Sequence, residues 1–242
     1  MKIRADQLLV ERGLFESRAR AQAAIAAGLV TAGGALVRKP SDMLARNVQI
    51  AAEAPHPYVS RGGLKLVAAL DAFGLDPTGR DCLDIGASTG GFTDVLLKRG
   101  ARHVVAVDVG REQLHASLKG NKRVKSLEGQ DIRSLVLDQG SAAPSLAVID
   151  VSFISLKLVL PPISALLAPD AALVALVKPQ FEAGRSALKK GVVRDAEIHE
   201  RVCVEIEAAL QALGFALLGR IPSPIEGGDG NREFLVGAHR RG

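Results

Sequence analysis

Two lysines and two acidic residues occupy motifs that could carry chemistry. Lys65 lies in SRGGLK, Asp150 ends AVID, Lys178 lies in LVKP and Glu233 lies in NREF. A lysine that is oriented by carboxylates and is neutral part of the time can remove a proton from a very weak acid, such as a sugar hydroxyl. Each of the four could instead form an ordinary salt bridge, so their roles depend on whether the fold brings them together.

Charged residues also follow the apolar, strand-like runs of the second half of the sequence. Asp84 lies at the end of the first run, Asp108 and Asp150 follow the second and fourth, and Lys178 follows the fifth. Asp131 comes a few residues after the third run. The carboxyl ends of parallel strands meet at one edge of a sheet, where ligands of open α/β folds bind. The pattern therefore predicts one shared crevice at that edge.

A glycine-rich loop, DIGASTGGF, begins at the end of the first run. It is neither the G-x-G-x-x-G motif of a dinucleotide site nor a phosphate-binding loop with its lysine. Because it suits a ligand without pyrophosphate, we expect it to bind S-adenosylmethionine; a generic strand–helix turn is the alternative. The predicted donor-binding residues of the loop are Asp84, Gly86, Ala87, Ser88, Gly90, Gly91 and Phe92.

The acidic residues offer partners for the other groups of such a donor. Asp84 can reach its ammonium group, directly or through water. Asp108, followed by Val109, is placed to accept hydrogen bonds from both ribose hydroxyls, as the equivalent acidic residue does in nicotinamide enzymes. Asp131 and Ile132 are expected to hold the adenine amine and ring. A methyl donor beside a lysine–carboxylate centre indicates methyl transfer to a hydroxyl.

The elements that must position these residues alternate between strand and helix. This alternation favours a Rossmann-like α/β fold with a seven-stranded, mostly parallel sheet and helices on both faces. Two late strands separated by a short polar loop predict an antiparallel hairpin at the end of the sheet. The predicted strands are 82–85, 104–107, 124–127, 146–149, 172–177, 215–220 and 233–238, and the predicted helices are 91–99, 111–118, 155–167 and 196–213.

Residues 1–50 are predicted to form a small α/β unit of their own. Helices are expected at 6–12 and 18–27, the second capped by Ser17. Gly33 and Gly34 suit a tight hairpin turn. The short strands of this unit are expected at 29–31, 35–37 and 47–50.

A proline-containing linker is predicted at 51–59, and it leads to a larger domain at 60–242. Basic residues cluster in the first unit, where they indicate a nucleic-acid-binding surface or simply a solvated one. The candidate RNA-binding residues are Arg4, Arg18, Arg20 and Lys39, with Arg61 and Arg133 near the crevice.

The composition favours a folded protein with a polyanionic partner. The formal net charge is +5, 48% of residues are hydrophobic and only 3% are aromatic. Cys82 and Cys203 are too few and too far apart to indicate a disulfide framework or a metal site. The N-terminus lacks the apolar core of a signal peptide, and no run reaches the roughly 18 apolar residues of a membrane span. We therefore expect a cytoplasmic protein.

Taken together, these motifs identify a family. The stretches VSRGGLKL, LDIGASTGGFTD, VIDVSFISL, LVKPQFE and NREFL resemble, in order and spacing, the TlyA (haemolysin A) family of rRNA cytidine 2′-O-methyltransferases, which have an FtsJ-like catalytic domain. The N-terminal segment resembles an S4-like RNA-binding domain. The resemblance implies that Lys65, Asp150, Lys178 and Glu233 form a catalytic tetrad with Lys178 closest to the proton transfer.

The resemblance also implies a methyl donor, S-adenosylmethionine, and a partner, rRNA or a ribosomal subunit. The donor would be held by Asp84, the glycine loop, Asp108 and Asp131. The chain starts and stops as the short form of the family does, so a cytidine in large-subunit rRNA is the expected target.

Three alternatives remain open from the sequence. Methylation of a base is disfavoured, because the chain reads Val-Ser-Phe after Asp150 rather than Pro-Pro-aromatic, and because neither cysteine lies in a loop. A membrane-lytic protein would need an amphipathic membrane helix, which a sheet-covering helix at 196–213 would resemble. A non-catalytic RNA-binding protein could keep the fold, although the complete set of motifs argues against it.

Overall fold

The computed structural model describes residues 2–53, 56–138, 142–184, 187–227 and 230–240. Backbone contacts divide the chain into two units, Met1–Pro57 and Tyr58–Gly242. The division falls inside the predicted linker, of which Ala54 and Pro55 lie outside the described residues. The domain boundaries predicted at residues 50 and 60 stay a prediction.

The first unit combines two helices with two small antiparallel sheets. One sheet pairs β1 with β4, and the other has the order β3-β2-β5. Leu9, Phe15, Ile25 and Val30 are buried together between them. The elements are β1 (Lys2–Arg4), α1 (Ala5–Glu11), α2 (Arg18–Ala26), β2 (Val30–Ala32), β3 (Ala35–Leu36), β4 (Met43–Ala45) and β5 (Ile50–Ala52).

Local signals in this unit act as the sequence indicates, with one exception. The Ser17 hydroxyl accepts a hydrogen bond from the backbone N–H of Arg20 and caps α2. Gly33 and Gly34, both with positive φ, make the turn between β2 and β3. The strand predicted at 47–50 was wrong, because pairing of Ala52 with Val30 sets the register and moves the strand to Ile50–Ala52, two residues into the predicted linker.

The second unit is built on the expected seven-stranded sheet. Its strand order is β11-β12-β10-β9-β6-β7-β8. Only β12 is antiparallel to its neighbours, β10 and β11, which confirms the predicted hairpin. The elements are α3 (Gly62–Phe73), β6 (Asp81–Ile85), α4 (Gly91–Lys98), β7 (His103–Asp108), β8 (Val124–Glu128), β9 (Leu146–Ile149), α5 (Leu156–Leu166), β10 (Ala172–Val177), α6 (Pro179–Glu182), α7 (Ala196–Ala212), β11 (Ala216–Pro222) and β12 (Phe234–His239).

The topology of this sheet creates the crevice that the sequence predicts. From β6 the chain moves to β7 and β8 on one side, and then returns to β9 and β10 on the other. Ligands bind at such a reversal of strand order, outside the carboxyl ends of the strands. Every residue of β9 and of β10 is buried, as expected for central parallel strands covered on both faces.

Three helices differ from the prediction: one predicted helix does not form, and α3 and the short α6 were not predicted. The helix predicted at 111–118 was wrong: this segment forms turns, and the Glu128 carboxylate accepts the N–H groups of Gln113 and Leu114 at 2.8 and 3.0 Å. Helix α3 was not predicted, because it begins with two glycines, which are poor helix formers. One of them, Gly63, packs so closely on Tyr58 that an added Cβ would lie 2.9 Å from its side chain.

Candidate active site at the carboxyl edge of the sheet

A cavity of about 590 Å³ lies where the strand order reverses. Its volume is within the range of small-molecule sites, about 300–1,000 Å³. Loops that follow β6, β7, β8 and β9 line it. Of the sequence-predicted residues it includes Gly86, Ser88, Asp108, Val109, Asp131, Ile132, Arg133 and Asp150.

The glycine loop is shaped mainly by contacts within the chain. Gly86 has a φ of 80°, and a Cβ there would lie 2.3 Å from the carbonyl oxygen of Asp150. Gly90 has a φ of 91°, and its Cβ would lie 2.3 Å from Leu118. The glycines therefore allow the sharp turn of this loop, and the close approach that requires them is to neighbouring segments of the second unit.

Asp84 is fully buried beneath this loop. The Thr93 hydroxyl donates to its Oδ2 at 2.6 Å, whereas its Oδ1 is buried with no hydrogen-bond partner among the described residues. Burial raises the pKa of Asp84 to about 7, against the opposing hydrogen bond from Thr93; the nearby negative charge of Asp150 adds to the rise. A buried carboxylate with one unused oxygen fits a role in binding a cationic group.

Asp108 and Asp131 both line the cavity, but their carboxylates accept hydrogen bonds from different kinds of donor. Asp108 accepts backbone N–H groups from Ser88 at 2.7 Å and Gly110 at 2.6 Å, which fix its orientation. Asp131 is held by Arg133, whose Nη2 donates to its Oδ2 at 2.6 Å. The side-chain and backbone hydrogen bonds from Arg133 lower the pKa of Asp131. Arg133, a predicted RNA contact, is thus already engaged at the cavity.

The two lysines and two acidic residues form two ion pairs. Lys65 Nζ lies 2.5 Å from Glu233 Oε2, and both side chains are buried. Lys178 Nζ lies 2.6 Å from Asp150 Oδ1 and donates a hydrogen bond to Ser152 Oγ at 2.8 Å. Each lysine is therefore oriented by a carboxylate, as lysine-assisted proton transfer requires.

Sheet register brings both pairs to the same edge. Val177 pairs with Phe234, so Lys178 and Glu233 are the next residues on neighbouring strands. Asp150 follows β9 and its N–H donates to Ile85 O, immediately before the glycine loop. Lys65 reaches this edge from α3 through its ion pair. The structure thus gathers all four predicted residues beside the glycine turn.

An aromatic pair at this edge, Phe153 and the half-buried Phe181, was missed by sequence reasoning. Phe153 is 91% exposed and has a φ of 63°, which is rare for a residue with a side chain. Its ring lies 5.0 Å from the ring of Phe181, centroid to centroid, at an angle of 48°. The pattern of buried apolar residues could not reveal Phe153, because its side chain is exposed. The signal that the sequence offered is that Phe153 is the only aromatic residue in the loop after Asp150.

The basic residues of the first unit have partners that the sequence did not suggest. Arg4 and Arg18 both bind the carboxylate of Asp6, which is fully buried, at 3.0 and 2.7 Å. The ion pair with Asp6 therefore explains the position of Arg18 at a helix start without a bound phosphate. The exposed Lys39 lies on the surface of this unit, and Arg61, also exposed, immediately precedes α3 in the second unit and makes no capping hydrogen bond through its side chain.

Comparison with known proteins agrees with this fold. The model of the FtsJ-like methyltransferase family matches residues 58–240, and the S4 domain model matches residues 3–50. The match over most of the chain makes the second unit a methyltransferase domain.

Full-length relatives narrow the family further. The protein YqxC of Bacillus subtilis is 46% identical over 98% of this chain and 86% of its own length. The 16S/23S rRNA (cytidine-2′-O)-methyltransferase TlyA of Mycobacterium tuberculosis is 42% identical over 97% of this chain and 89% of its own. A solved structure from Streptococcus thermophilus, described as a hemolysin, is 44% identical, with a TM-score of 0.78 over 99% of this chain and 88% of that one. The chain belongs to the TlyA group of the FtsJ-like methyltransferase family.

The hemolysin label of some relatives raises the question of membrane insertion. Across the part of the chain that the structure describes, no helix has both the length and the apolar character needed to cross a bilayer.

Proposed function

We propose that this protein transfers a methyl group from S-adenosylmethionine to the ribose 2′-hydroxyl of a cytidine in rRNA. The observation that carries the proposal is the pair of lysine–carboxylate contacts, Lys178–Asp150 and Lys65–Glu233, beside a cavity at the switch point of a methyltransferase fold. The activity stated in the name of the TlyA relative from Mycobacterium tuberculosis supports the choice of substrate.

The cavity residues fit the groups of this donor. Asp84, with its unused Oδ1, would face the ammonium group, and Asp108, oriented by two backbone N–H groups, would accept the ribose hydroxyls. Asp131 and Ile132, which also line the cavity, would border the adenine. When bound, the donor supplies an electrophilic methyl group on a sulfonium.

Lys178 would act on the attacking hydroxyl. Its amine, in the neutral form, would accept the proton of the ribose 2′-hydroxyl as that oxygen takes the methyl group, while the methyl–sulfur bond of the donor breaks and leaves a neutral thioether. Asp150 then stabilises the ammonium that forms, and the Ser152 hydroxyl keeps Nζ in place. The buried Lys65–Glu233 pair borders the same edge and is suited to orienting the ribose.

The aromatic pair is suited to positioning the target base. A flipped or single-stranded base is commonly held by stacking on aromatic side chains, at about 1–3 kcal/mol per base. Phe153 exposes nearly all of its surface, and its ring contacts that of Phe181. In the first unit, Arg20, Lys39 and neighbouring basic residues would contact the RNA backbone, with Arg4 and Arg18 contributing their half-exposed side chains.

The test compares wild type with Lys178→Ala and with a control, Lys157→Ala, which removes a surface ion pair with Glu205. Loss of an acid–base group costs about 10²–10⁴-fold in rate. We expect that loss of methyl transfer to ribosomal subunits in Lys178→Ala alone, with calorimetric binding of S-adenosylmethionine retained by all three proteins. Equal transfer by Lys178→Ala and wild type would remove the mechanism, and absence of donor binding by wild type would favour a non-catalytic RNA-binding protein.

A further inference from the structure

Two short segments carry one half of the candidate centre and interlock along their length. Residues 150–156 follow β9, and residues 178–182 follow β10. At one end of the segments, Lys178 forms an ion pair with Asp150 and donates a hydrogen bond to Ser152. In the middle, the rings of Phe153 and Phe181 are in contact. At the far end, a further carboxylate joins them.

That carboxylate is Glu182, the last residue of α6. Its Oε2 accepts the Ser155 hydroxyl at 2.5 Å, and its Oε1 accepts the backbone N–H of Leu156 at 2.7 Å. Leu156 is the first residue of α5, so both bonds are made to the point where the loop after β9 becomes helix. Neither Glu182 nor Ser155 belongs to the residues that the proposed reaction uses.

The loop between these anchors is not relaxed. Phe153 has a φ of 63°, a conformation that costs a residue with a Cβ and persists only where surrounding contacts enforce it. The enforcing contacts lie on both sides of it, at Lys178 and at Glu182. Because Ser152 and Phe153 are adjacent, release of the loop at Glu182 would also move the hydroxyl that holds Lys178.

We propose that Glu182 is a positioning residue for methyl transfer, which holds the loop 150–155 so that Asp150 and Ser152 orient Lys178 and Phe153 faces the target base. This inference rests on the proposed function. An ordinary helix cap would account for the two hydrogen bonds alone. It would not link them to Lys178, whose Nζ donates to the hydroxyl of Ser152, the residue before the strained phenylalanine.

Three variants distinguish positioning from simple capping. Glu182→Ala removes both acceptors, and Glu182→Gln keeps an oxygen that can accept the Leu156 N–H. Asp195→Ala removes the carboxylate that caps α7 by accepting the N–H of Glu197, a cap of the same type that is not part of the two segments. A displaced reacting group can cost about 100-fold in rate.

The expected results separate kcat from binding. Glu182→Ala should lower kcat by about 10- to 100-fold and raise the KM for RNA, while the Kd for S-adenosylmethionine stays within about twofold. Glu182→Gln should recover most of the rate, and Asp195→Ala should keep kcat within about twofold of wild type. An unchanged kcat in Glu182→Ala overturns the proposal.

A second readout does not depend on activity. The NMR signal of Lys178 in protein labelled with [ε-¹³C]lysine, assigned by its loss in Lys178→Arg, should shift in Glu182→Ala and not in Asp195→Ala. If wild type transfers no methyl group, the proposed function fails on its own evidence. In that event an unmoved Lys178 signal still overturns the positioning role, and a moved signal supports the coupling of Glu182 to Lys178.

Discussion

At the scale of single residues, Asp84 and Gly86 owe their properties to their surroundings. The carboxylate is buried with an unused oxygen, and the glycine packs on the backbone of Asp150. Each feature depends on atoms from another part of the sheet edge, and each gives a measurable consequence.

Donor affinity should rise with pH because of Asp84. Its pKa is raised to about 7, mainly by burial, so below neutrality the group is mostly neutral and attracts an ammonium poorly. Since one pH unit corresponds to tenfold in protonation, we expect S-adenosylmethionine to bind roughly tenfold more tightly at pH 7.0 than at pH 5.5. Calorimetry at the two pH values measures this, and Asp84→Asn should bind weakly at both. A wild-type affinity that is equal at both pH values would contradict the role of Asp84.

The same shift has a stability consequence of known sign. An acid whose folded pKa lies above its ordinary value of 3.8 favours the folded state while it is protonated. In the absence of donor, the free energy of unfolding should therefore fall between about pH 4 and pH 7 from this group, and Asp84→Asn should lose that part of the pH dependence.

Gly86→Ala should damage the site through a clash rather than through backbone conformation alone. The new Cβ would lie 2.3 Å from Asp150 O. Gly79 provides a matched control, since its φ of 70° is similar but a Cβ there would meet nothing within 4 Å. Gly79→Ala should cost about 1 kcal/mol and keep methyl transfer, whereas Gly86→Ala should cost more and abolish transfer. Similar unfolding and activity in the two variants would show that the contact with Asp150 is unimportant.

At the scale of elements, buried strands were the most predictable part of the chain. Strands β9 and β10 were predicted with their observed bounds. A strand that is buried on both faces is a continuous run of apolar residues, and such a run is easy to delimit in a sequence. The segment 111–118 misled the prediction because its backbone amides bind Glu128, a long-range contact that local propensity does not encode.

The candidate site was predictable to the same extent. Asp150, Lys178 and the cavity carboxylates could be predicted from strand-end positions, which topology brings together, whereas Lys65 lies in α3 and was found from its motif alone. Phe153 and Glu182 could not be found in this way, since a left-handed phenylalanine and a carboxylate that caps a distant helix are set by tertiary packing.

The first unit should depend on the ion pairs of Asp6. This carboxylate is buried and accepts hydrogen bonds from Arg4, Arg18 and Gln22. Asp6→Asn should cost about 1–3 kcal/mol, as expected for a buried polar group that loses its partners. Hydrogen exchange of the full chain should then speed up in α1 and α2.

A surface pair provides the control for this change. Glu11→Gln loosens the exposed contact with Arg46 and should change exchange little.

The Arg4 side chain holds the pKa of Asp6 well below its usual range. The stabilisation of the folded state by Asp6 is therefore present above about pH 4 and is lost as the pH falls below it. Equal protection in Asp6→Asn and wild type would show that the pairs are incidental.

At the scale of the whole molecule, the proposed function assigns RNA affinity to the first unit and chemistry to the second. Lys39 tests this division better than Arg4 or Arg18, which also hold Asp6. Lys39→Gln should weaken rRNA affinity and lower the salt dependence of log K by about 0.7–0.9 per lost phosphate contact, with donor binding intact. Lys122→Gln, at an exposed position between β7 and β8, is the control. An unchanged salt slope would show that Lys39 is merely a surface residue.

The proposed reaction leaves a defined product, a 2′-O-methylated cytidine in rRNA. Ribose methylation can be mapped across the rRNA of cells that have or lack this gene, with complementation by wild type or by Lys178→Ala. We expect at least one 2′-O-methylcytidine to disappear without the gene and to return with wild type only. Identical ribose methylation in all of these cells, or loss of a base methylation instead, would contradict it.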